Sequence, residues 1–355
     1  MSTADTCSAG ATRPSATHGS PRPRDIDALV AAALAEDVGE IGDVTARATI
    51  PADATGAALV VAREAGVVSG LDFVVAAFEQ VDPRLTVQLL AADGDRVAPG
   101  AHLVRVAGPS RGIVTGERVA LNFLGLLSGV ATTTARLVEE VAGTGAQVVD
   151  TRNTVPGLRA AQKRAVRHGG GANHRLGLHD AVMVKDNHIA LAGGVTAVLE
   201  RLASGPDAPG HMVRIEMEVD TLDQLRELAA FERRRLDAGA RPVVDVVLLD
   251  NMGPDGVAGA VALLRAAGLH PVVEVSGGVA PAAGGHSPAF AARGPSGAPV
   301  SGEPSAAGEL GGHSPARALA LAGADVLSSG ALTHSAWWLD VALEDEPVRG
   351  CRATR

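Results

Sequence analysis

The chain of 355 residues has few aromatic residues, no tyrosine and almost no lysine. Aromatic residues make up 2% of the chain, which is too few for the stacking platforms that bind single-stranded nucleic acid. The formal net charge of −9 also argues against a non-specific nucleic-acid binder. Only Lys163 and Lys185 among the 31 basic residues are lysine, and both lie in one cationic stretch.

Cysteine and long apolar runs are scarce as well. Cys7 and Cys351 are the only cysteines, so neither a disulfide framework nor a cysteine metal site is expected. No apolar run approaches the roughly 18 residues of a membrane span, and residues 1–24 lack the apolar segment of a secretory signal. Hydrophobic residues, at 46%, suffice for a buried core. These features predict a cytoplasmic protein of about two domains.

Composition divides the chain into tails and folded parts. Residues 1–24, rich in Ser, Thr, Pro and Gly, are predicted to be a disordered tail. Short β-like runs and one helix follow, so residues 25–130 are predicted as a small barrel or sandwich with a long linking helix that breaks at Gly129. A second domain over residues 131–345 and a C-terminal tail over residues 346–355 complete the chain.

Six Val-rich runs alternate with helical segments after Gly145, a pattern typical of a parallel sheet. Nearly every run ends in polar residues able to do chemistry, namely Arg152, Lys185, Glu218, Asp250, Ser276-Gly277-Gly278 and Ser328-Ser329-Gly330. In a parallel barrel, functional groups gather at the C-terminal ends of the strands, whereas an open doubly wound sheet gathers them at one switch point. Contributions from all six runs favour the barrel.

Residues 280–314 interrupt this alternation with low-complexity Gly, Pro, Ala and Ser sequence. The hexapeptide GGHSPA occurs there at residues 284–289 and again at residues 311–316, which indicates a duplicated insertion. We predict a flexible surface excursion, in the loop after the fifth strand, that is dispensable for activity.

The segment from Arg152 to Lys185 carries five arginines and two lysines against one acidic residue, in a chain that is acidic overall. It predicts an anion site, because arginine clamps carboxylate or phosphate with two hydrogen bonds and lysine supplies a compact charge. A solvated basic helix is the alternative, which is favoured for Arg164 and Arg167. Function is favoured for Arg152, Arg175 and Lys185, since a lone cation at the end of a buried strand needs a partner.

Two carboxylates, Glu218 and Asp250, end neighbouring apolar runs. Opposite a cationic cluster they could hold Mg²⁺ bound to a polyphosphate or face a developing carbocation, and a structural ion pair is the alternative. The Val-Ser-Gly-Gly turn that ends in Gly278 offers a hydroxyl and flexible backbone N–H groups, which are the donors that cradle phosphates.

Together these motifs resemble the quinolinate phosphoribosyltransferase family. The resemblance spans residues 25–345 and is carried by EDVGEIGDVT, GERVALNFLGLLSGVAT, DTRNTVPGLRAAQKRAVRHGGGANHRLGLHDAVMVKDNHI, IEMEVDTLDQL, VVLLDN, EVSGGV and GADVLSSGALTHS. It implies an N-terminal α/β sandwich, to which C-terminal residues can return, and an open six-stranded α/β-barrel-like domain of the type II phosphoribosyltransferases. It also implies that quinolinate and phosphoribosyl pyrophosphate give nicotinate mononucleotide, pyrophosphate and CO₂, with Mg²⁺ as cofactor, in de novo NAD biosynthesis.

The resemblance assigns roles to individual positions. The implied contacts to the quinolinate carboxylates and the neighbouring phosphates come from Arg152, His174, Arg175 and Lys185. Lys163, on the helix before the glycine loop, is also predicted to bind substrate, because it makes an electropositive contribution to the same region. Lys185, Glu218 and Asp250 are implied to be catalytic, the two carboxylates standing near the ribose and Mg²⁺. Ser276, Gly277 and Gly278 match the turn that receives the sugar phosphate, with Ser329 and Gly330 also at the substrate. Arg118 matches an arginine that reaches the partner's site across a homodimer.

One departure from the family concerns charge. The family reads Thr-Arg-Lys-Thr where this chain has Thr151-Arg152-Asn153-Thr154, so Asn153 removes a cation and predicts weaker anion affinity with activity retained. Two alternatives stay open, a related phosphoribosyltransferase-like protein associated with molybdenum transport and an inactive homologue that binds a partner. Arg118 with the Asn-His-Arg triplet favours quinolinate, and retention of the whole charged set argues against an inactive protein.

Overall fold

The computed structural model describes residues 24–280 and 313–346, which divide into two compact units. One unit extends to Gly125 and takes back the chain from Leu339, and the other runs from Leu126 to Trp338. Nearly all residues of the predicted N-terminal tail, insertion and C-terminal tail lie outside the described residues.

The first unit contains a four-stranded antiparallel sheet in the order β12-β1-β5-β3 and a two-stranded sheet of β2 and β4. Its elements are α1 (Arg24–Val38), α2 (Val44–Thr49), β1 (Thr55–Ala62), β2 (Gly66–Val67), α3 (Leu71–Val81), β3 (Thr86–Leu89), β4 (Arg96–Val97), β5 (His102–Pro109) and β12 (Val341–Asp345). Helix α1 stops before Gly39, whose φ of +56° lies in the left-handed region common just after a helix C-terminus. Helix α3 packs on α1 and buries Phe73 and Phe78.

A helix of 31 residues, α4 (Ser110–Glu140), passes from the first unit into the second. By length and composition it could cross a membrane, but 61% of its apolar window is buried inside the protein, as expected of a core helix. The predicted break at Gly129 is wrong, because the helix continues through this residue. A Cβ atom on Gly129 would overlap the carbonyl oxygen of Trp337. The glycine therefore allows the backbone at Trp337 to pack directly against the helix.

In the described part of the second unit, six parallel strands form one sheet in the order β6-β11-β10-β9-β8-β7. The strands are β6 (Gln147–Val149), β7 (Val182–Val184), β8 (Ile215–Val219), β9 (Val246–Asp250), β10 (Val272–Ser276) and β11 (Val326–Ser328). The helices are α5 (Arg159–His168), α6 (Asp186–Ala192), α7 (Val195–Ser204), α8 (Leu222–Asp237), α9 (Pro254–Ala266), α10 (Pro315–Leu321) and α11 (Ala331–His334).

This strand order confirms the barrel-like prediction. It rises from β7 to β11 without reversal and then reaches β6, which is the order of a barrel opened between β6 and β7. A doubly wound sheet would instead reverse its order at an internal switch point. Met217, Val247 and Leu249 are completely buried in the middle of the sheet. Burial of each such side chain stabilises the fold by roughly 1.5–3 kcal/mol. The packed sheet in turn holds the ends of neighbouring strands side by side.

Candidate active site

The carboxyl ends of the parallel strands bring the predicted polar residues to one edge of the sheet. Arg152 follows β6, Lys185 follows β7, and Glu218 lies one residue from the end of β8. Asp250 ends β9 and pairs in register with Ser276, the last residue of β10. Because all strands run in the same direction, these side chains share an edge, as the sequence predicted.

Two arginines, Arg152 and Arg175, form the cationic side of this edge. Both are partly buried, and the Nε atom of each is enclosed without a hydrogen-bond partner in the described part of the chain. Burial and the neighbouring Arg152 lower the pKa of Arg175 below its ordinary value. Arg175 also donates a hydrogen bond from Nη1 to the carbonyl oxygen of Ala181 at 3.2 Å. Two like charges held together in this way favour an anion between them.

Three carboxylates form the acidic side. Oxygen atoms of Glu218, Asp220 and Asp250 lie within 4.8 Å of one another, and Lys185 Nζ donates to Glu218 Oε2 at 2.6 Å. Burial and the charge of Asp220 raise the pKa of Asp250. A cluster of oxygen donors fits a hard divalent cation such as Mg²⁺. Sequence reasoning missed Asp220, although its position two residues after Glu218 was an available signal.

His174 stands between two further carboxylates inside the barrel. Its Nε2 atom lies 2.9 Å from Glu216 Oε2 and 3.5 Å from Glu274 Oε1, and both glutamates are about 95% buried. Its Nδ1 atom accepts a hydrogen bond from the backbone N–H of Arg175 at 2.7 Å. Although burial lowers it, the hydrogen bond to Glu216 and the charge of Glu274 together raise the pKa of His174. Both ring nitrogens are therefore engaged within the protein.

Glu274 has the most strongly shifted pKa in this group. Burial, and next the charge of Glu216, raise the pKa of Glu274 to about 7. The sequence places Glu216 and Glu218 on the same strand face, but the approach of Glu274 from β10 depends on packing across β9 and carries no local signal. This carboxylate was therefore missed.

Lys163 does not lie free at the edge of the sheet. Its place in the cationic stretch predicted a contact with substrate, but its side chain is 2% exposed and its Nζ atom is ion-paired with Asp150. The same Nζ atom donates to the carbonyl oxygen of His174 at 2.9 Å. The predicted contact between Lys163 and substrate is therefore wrong. Helix α5 turns Lys163 toward the core, where it bonds other groups of the protein, while Arg167 stays exposed.

The turn after β10 has backbone angles that require glycine. Gly277 has a φ of +89° and Gly278 a φ of +66°, in the left-handed region. A Cβ atom on Gly277 would also overlap Oδ1 of Asn251, whose backbone N–H donates to the carbonyl oxygen of Ser276 at 3.0 Å. The predicted Ser276-Gly277-Gly278 turn is thus packed against the residue that follows Asp250.

The turn after β11 differs in part from its prediction. Ser329 is 3% exposed and donates its hydroxyl to the carbonyl oxygen of Val279, so its side chain is not available to a ligand in this arrangement. Gly330 stands where a Cβ atom would lie 2.9 Å from Asn153 Nδ2 and 3.2 Å from His334 Nε2. Asn153 and His334 are both exposed next to this glycine.

Arg118 lies apart from these residues in the division of the chain. It is exposed on α4 and belongs to the first unit, whereas the other predicted site residues belong to the second. Its role across a dimer remains a prediction.

Comparison with known proteins supports the predicted family over most of the chain. The family model for the quinolinate phosphoribosyl transferase N-terminal domain matches residues 43–128, and that for the C-terminal domain matches residues 130–283. A solved nicotinate-nucleotide pyrophosphorylase from Francisella tularensis covers 92% of this chain with 98% of its own length, at 32% identity and a TM-score of 0.72.

Curated relatives agree with these matches. A probable nicotinate-nucleotide pyrophosphorylase (carboxylating) from Synechocystis is 41% identical over 246 residues, which are 69% of this chain and 78% of that protein. The chloroplastic nicotinate-nucleotide pyrophosphorylase (carboxylating) of Oryza sativa subsp. japonica is 40% identical over 228 residues, or 64% of this chain. The chain spans only about three fifths of the length of such plant relatives, 60% for the rice protein and 64% for that of Arabidopsis thaliana.

The opened barrel of six parallel strands, with its small sheet-containing partner unit, is the architecture of the type II phosphoribosyltransferases. Within that class, the chain belongs to the quinolinate phosphoribosyltransferase family.

Proposed function

We propose that this protein transfers a phosphoribosyl group from phosphoribosyl pyrophosphate to quinolinate and removes one carboxylate. The products are nicotinate mononucleotide, pyrophosphate and CO₂, which makes the protein a pentosyltransferase of de novo NAD biosynthesis. The observation that carries the proposal is the pair Arg152 and Arg175, two partly buried like charges with enclosed Nε atoms that find no partner among the described residues. A planar dianion would neutralise both guanidinium groups and accept their hydrogen bonds.

The acidic side of the edge suits the transfer step. Pyrophosphate leaves the ribose with positive charge developing at C1, and carboxylates held nearby stabilise that charge electrostatically. Glu218 is fixed by Lys185 at 2.6 Å, and Asp250 stands beside it. Glu218, Asp220 and Asp250 would hold Mg²⁺, directly or through water, and the ion would neutralise the pyrophosphate charge.

Decarboxylation then needs no further cofactor. Once the pyridine nitrogen is alkylated it is positive, so it stabilises the carbanion left at C2 when the adjacent carboxylate departs as CO₂, and that carbanion then takes up a proton. The protein's part is to hold the ring still between Arg152 and Arg175. The Ser276-Gly277-Gly278 turn supplies backbone N–H groups suited to the sugar phosphate.

We further propose a cytoplasmic homodimer in which Arg118 completes the partner's site. Support comes from its place in the family motif and from its exposure on α4, in the unit that does not carry the other predicted site residues. Sedimentation would give the assembly, and cell fractionation the location.

The reaction is tested by incubating the pure protein with quinolinate, phosphoribosyl pyrophosphate and Mg²⁺. Nicotinate mononucleotide and pyrophosphate should appear together, and Asp250→Asn should slow both by at least about a hundredfold. Formation of a phosphoribosyl product from another acceptor only would favour the molybdenum-associated relative. Absence of any product from a folded protein would favour the inactive homologue.

A further inference from the structure

A buried ion pair between Lys163 and Asp150 forms hydrogen bonds to the backbone of His174 on both sides of that residue. Asp150 Oδ1 accepts the backbone N–H of His174 at 3.0 Å, while Lys163 Nζ donates to the carbonyl oxygen of the same residue at 2.9 Å. Lys163 and Asp150 also pair with each other, and their side chains are 2% and 0% exposed. The two charges thus fix one peptide segment from both of its polar ends.

Asn173 closes this network. Its Nδ2 atom donates to Asp150 Oδ2 at 2.5 Å and to the carbonyl oxygen of Lys163 at 2.8 Å. The loop that starts at Gly170, where φ is +88°, is therefore tied to both β6 and α5 immediately before Arg175. A glycine loop without such ties would leave the arginine free to move.

Burying two charges is costly, so the pair calls for an explanation. Burial raises the pKa of Asp150, and its hydrogen bond from Lys163 lowers that pKa only in part. An apolar pair of similar volume would often stabilise a fold as well or better. What an apolar pair cannot do is bond the N–H and the C=O of His174.

We propose that Lys163 and Asp150 are positioning residues that set Arg175 for the dianion, acting through the His174 backbone. This rests on the proposed function, and it replaces the electropositive contribution that the sequence suggested for Lys163. It also explains why a chain that uses arginine almost everywhere has lysine here. A compact ammonium group fits between Asp150 and His174, whereas a planar guanidinium group would be displaced from this enclosed space.

Lys163→Arg separates the two roles, because it keeps the charge and changes the geometry. We expect it to raise the apparent KM for quinolinate at least about tenfold, with the KM for phosphoribosyl pyrophosphate within about threefold of wild type. The double variant Lys163→Met with Asp150→Asn removes both buried charges and the donor to the His174 carbonyl oxygen, so it should also raise the KM for quinolinate at least about tenfold and leave the other KM within about threefold of wild type. Arg167→Met removes an exposed cation from the same helix and should change neither value.

Amide hydrogen exchange supplies a readout that needs no substrate. In Lys163→Arg, a peptide spanning residues 170–178 should exchange at least about tenfold faster, while a peptide from β8 should not change. The exchange measurement is valid even if quinolinate proves not to be the substrate. A failure of the positioning role of Lys163 and Asp150 can therefore be distinguished from a failure of the proposed function. Wild-type KM and exchange in Lys163→Arg would overturn the proposal. If Lys163→Arg does not fold, wild-type KM and exchange in the folded double variant would overturn it instead.

Discussion

Single charged residues at the strand ends decide what this edge of the sheet can bind. Arg152 and Arg175 repel each other, Asp220 and Asp250 repel each other, and Lys185 pairs with Glu218 on the acidic side. Such like-charge pairs weaken the unliganded protein and are relieved by a ligand that carries both signs of charge. A pyridine dicarboxylate with a magnesium pyrophosphate has this composition.

Arg152→Gln tests this view of the cationic pair. Removing one of two repelling charges should leave the unfolding midpoint of the unliganded protein unchanged or raise it, and should weaken quinolinate binding at least about tenfold. Thermal unfolding and equilibrium binding measure the two effects. A lowered midpoint with unchanged affinity would mean that Arg152 is only structural.

Asn153→Lys restores the cation that the family has at this exposed position. We expect a lower apparent KM for at least one anionic substrate or a higher turnover, because the added charge stands beside Gly330 and His334 at the mouth of the site. Steady-state kinetics at low and high salt test it, and the gain should shrink with salt. Neither a lower KM nor a higher turnover would reject the idea that Asn153 weakens anion binding.

Glu274 gives the fold a pH dependence of known sign. Its pKa of about 7 in the folded protein lies above the ordinary glutamate value of 4.5, so the folded protein holds this proton more tightly than the unfolded chain. Stability from this group is therefore present at low pH and is lost as pH rises from about 4.5 to about 7. Glu274→Gln should abolish the loss, so the variant gains up to roughly 3 kcal/mol relative to wild type between pH 5 and pH 8. Chemical unfolding at both pH values measures it, and a constant difference would contradict the assignment.

At the scale of elements, the sequence predicted which residues stand together wherever strand direction alone decides it. Arg152, Lys185, Glu218 and Asp250 reach one edge because parallel strands present their carboxyl ends together. Contacts that depend on packing across strands or on the helical face were missed or misjudged, as for Glu274 and Lys163. Gly129 was predicted to break the helix because composition cannot show that another segment of the same chain, at Trp337, packs against this glycine.

Two glycine substitutions in helices test this account of Gly129. Gly129→Ala should destabilise the protein by several kcal/mol, about the cost of overpacking or more, despite the higher helix propensity of alanine. Gly259→Ala, on the exposed face of α9 with its nearest neighbour atom 3.9 Å from the new Cβ, should instead stabilise by about 0.5–1 kcal/mol. Unfolding midpoints compare the two, and a neutral Gly129→Ala would contradict the close approach of Trp337.

At the scale of the whole molecule, the residues predicted for the site belong to two different units. Arg118 belongs to the first, and the arginine pair and the carboxylates belong to the second. The family resemblance predicts that Arg118 acts in a partner's site. If so, mixing inactive Arg118→Ala with inactive Arg175→Ala should restore up to about a quarter of wild-type activity, since mixed dimers contain one intact site. No recovery after the subunits have exchanged would place Arg118 in its own subunit's site or outside any site.

The most direct measurement of the central claim is the release of labelled CO₂ from quinolinate that carries the label in its C2 carboxylate. The proposed reaction predicts one CO₂ for each pyrophosphate formed, and no release when phosphoribosyl pyrophosphate is omitted. Release without phosphoribosyl pyrophosphate, or pyrophosphate formation without CO₂, would contradict the account.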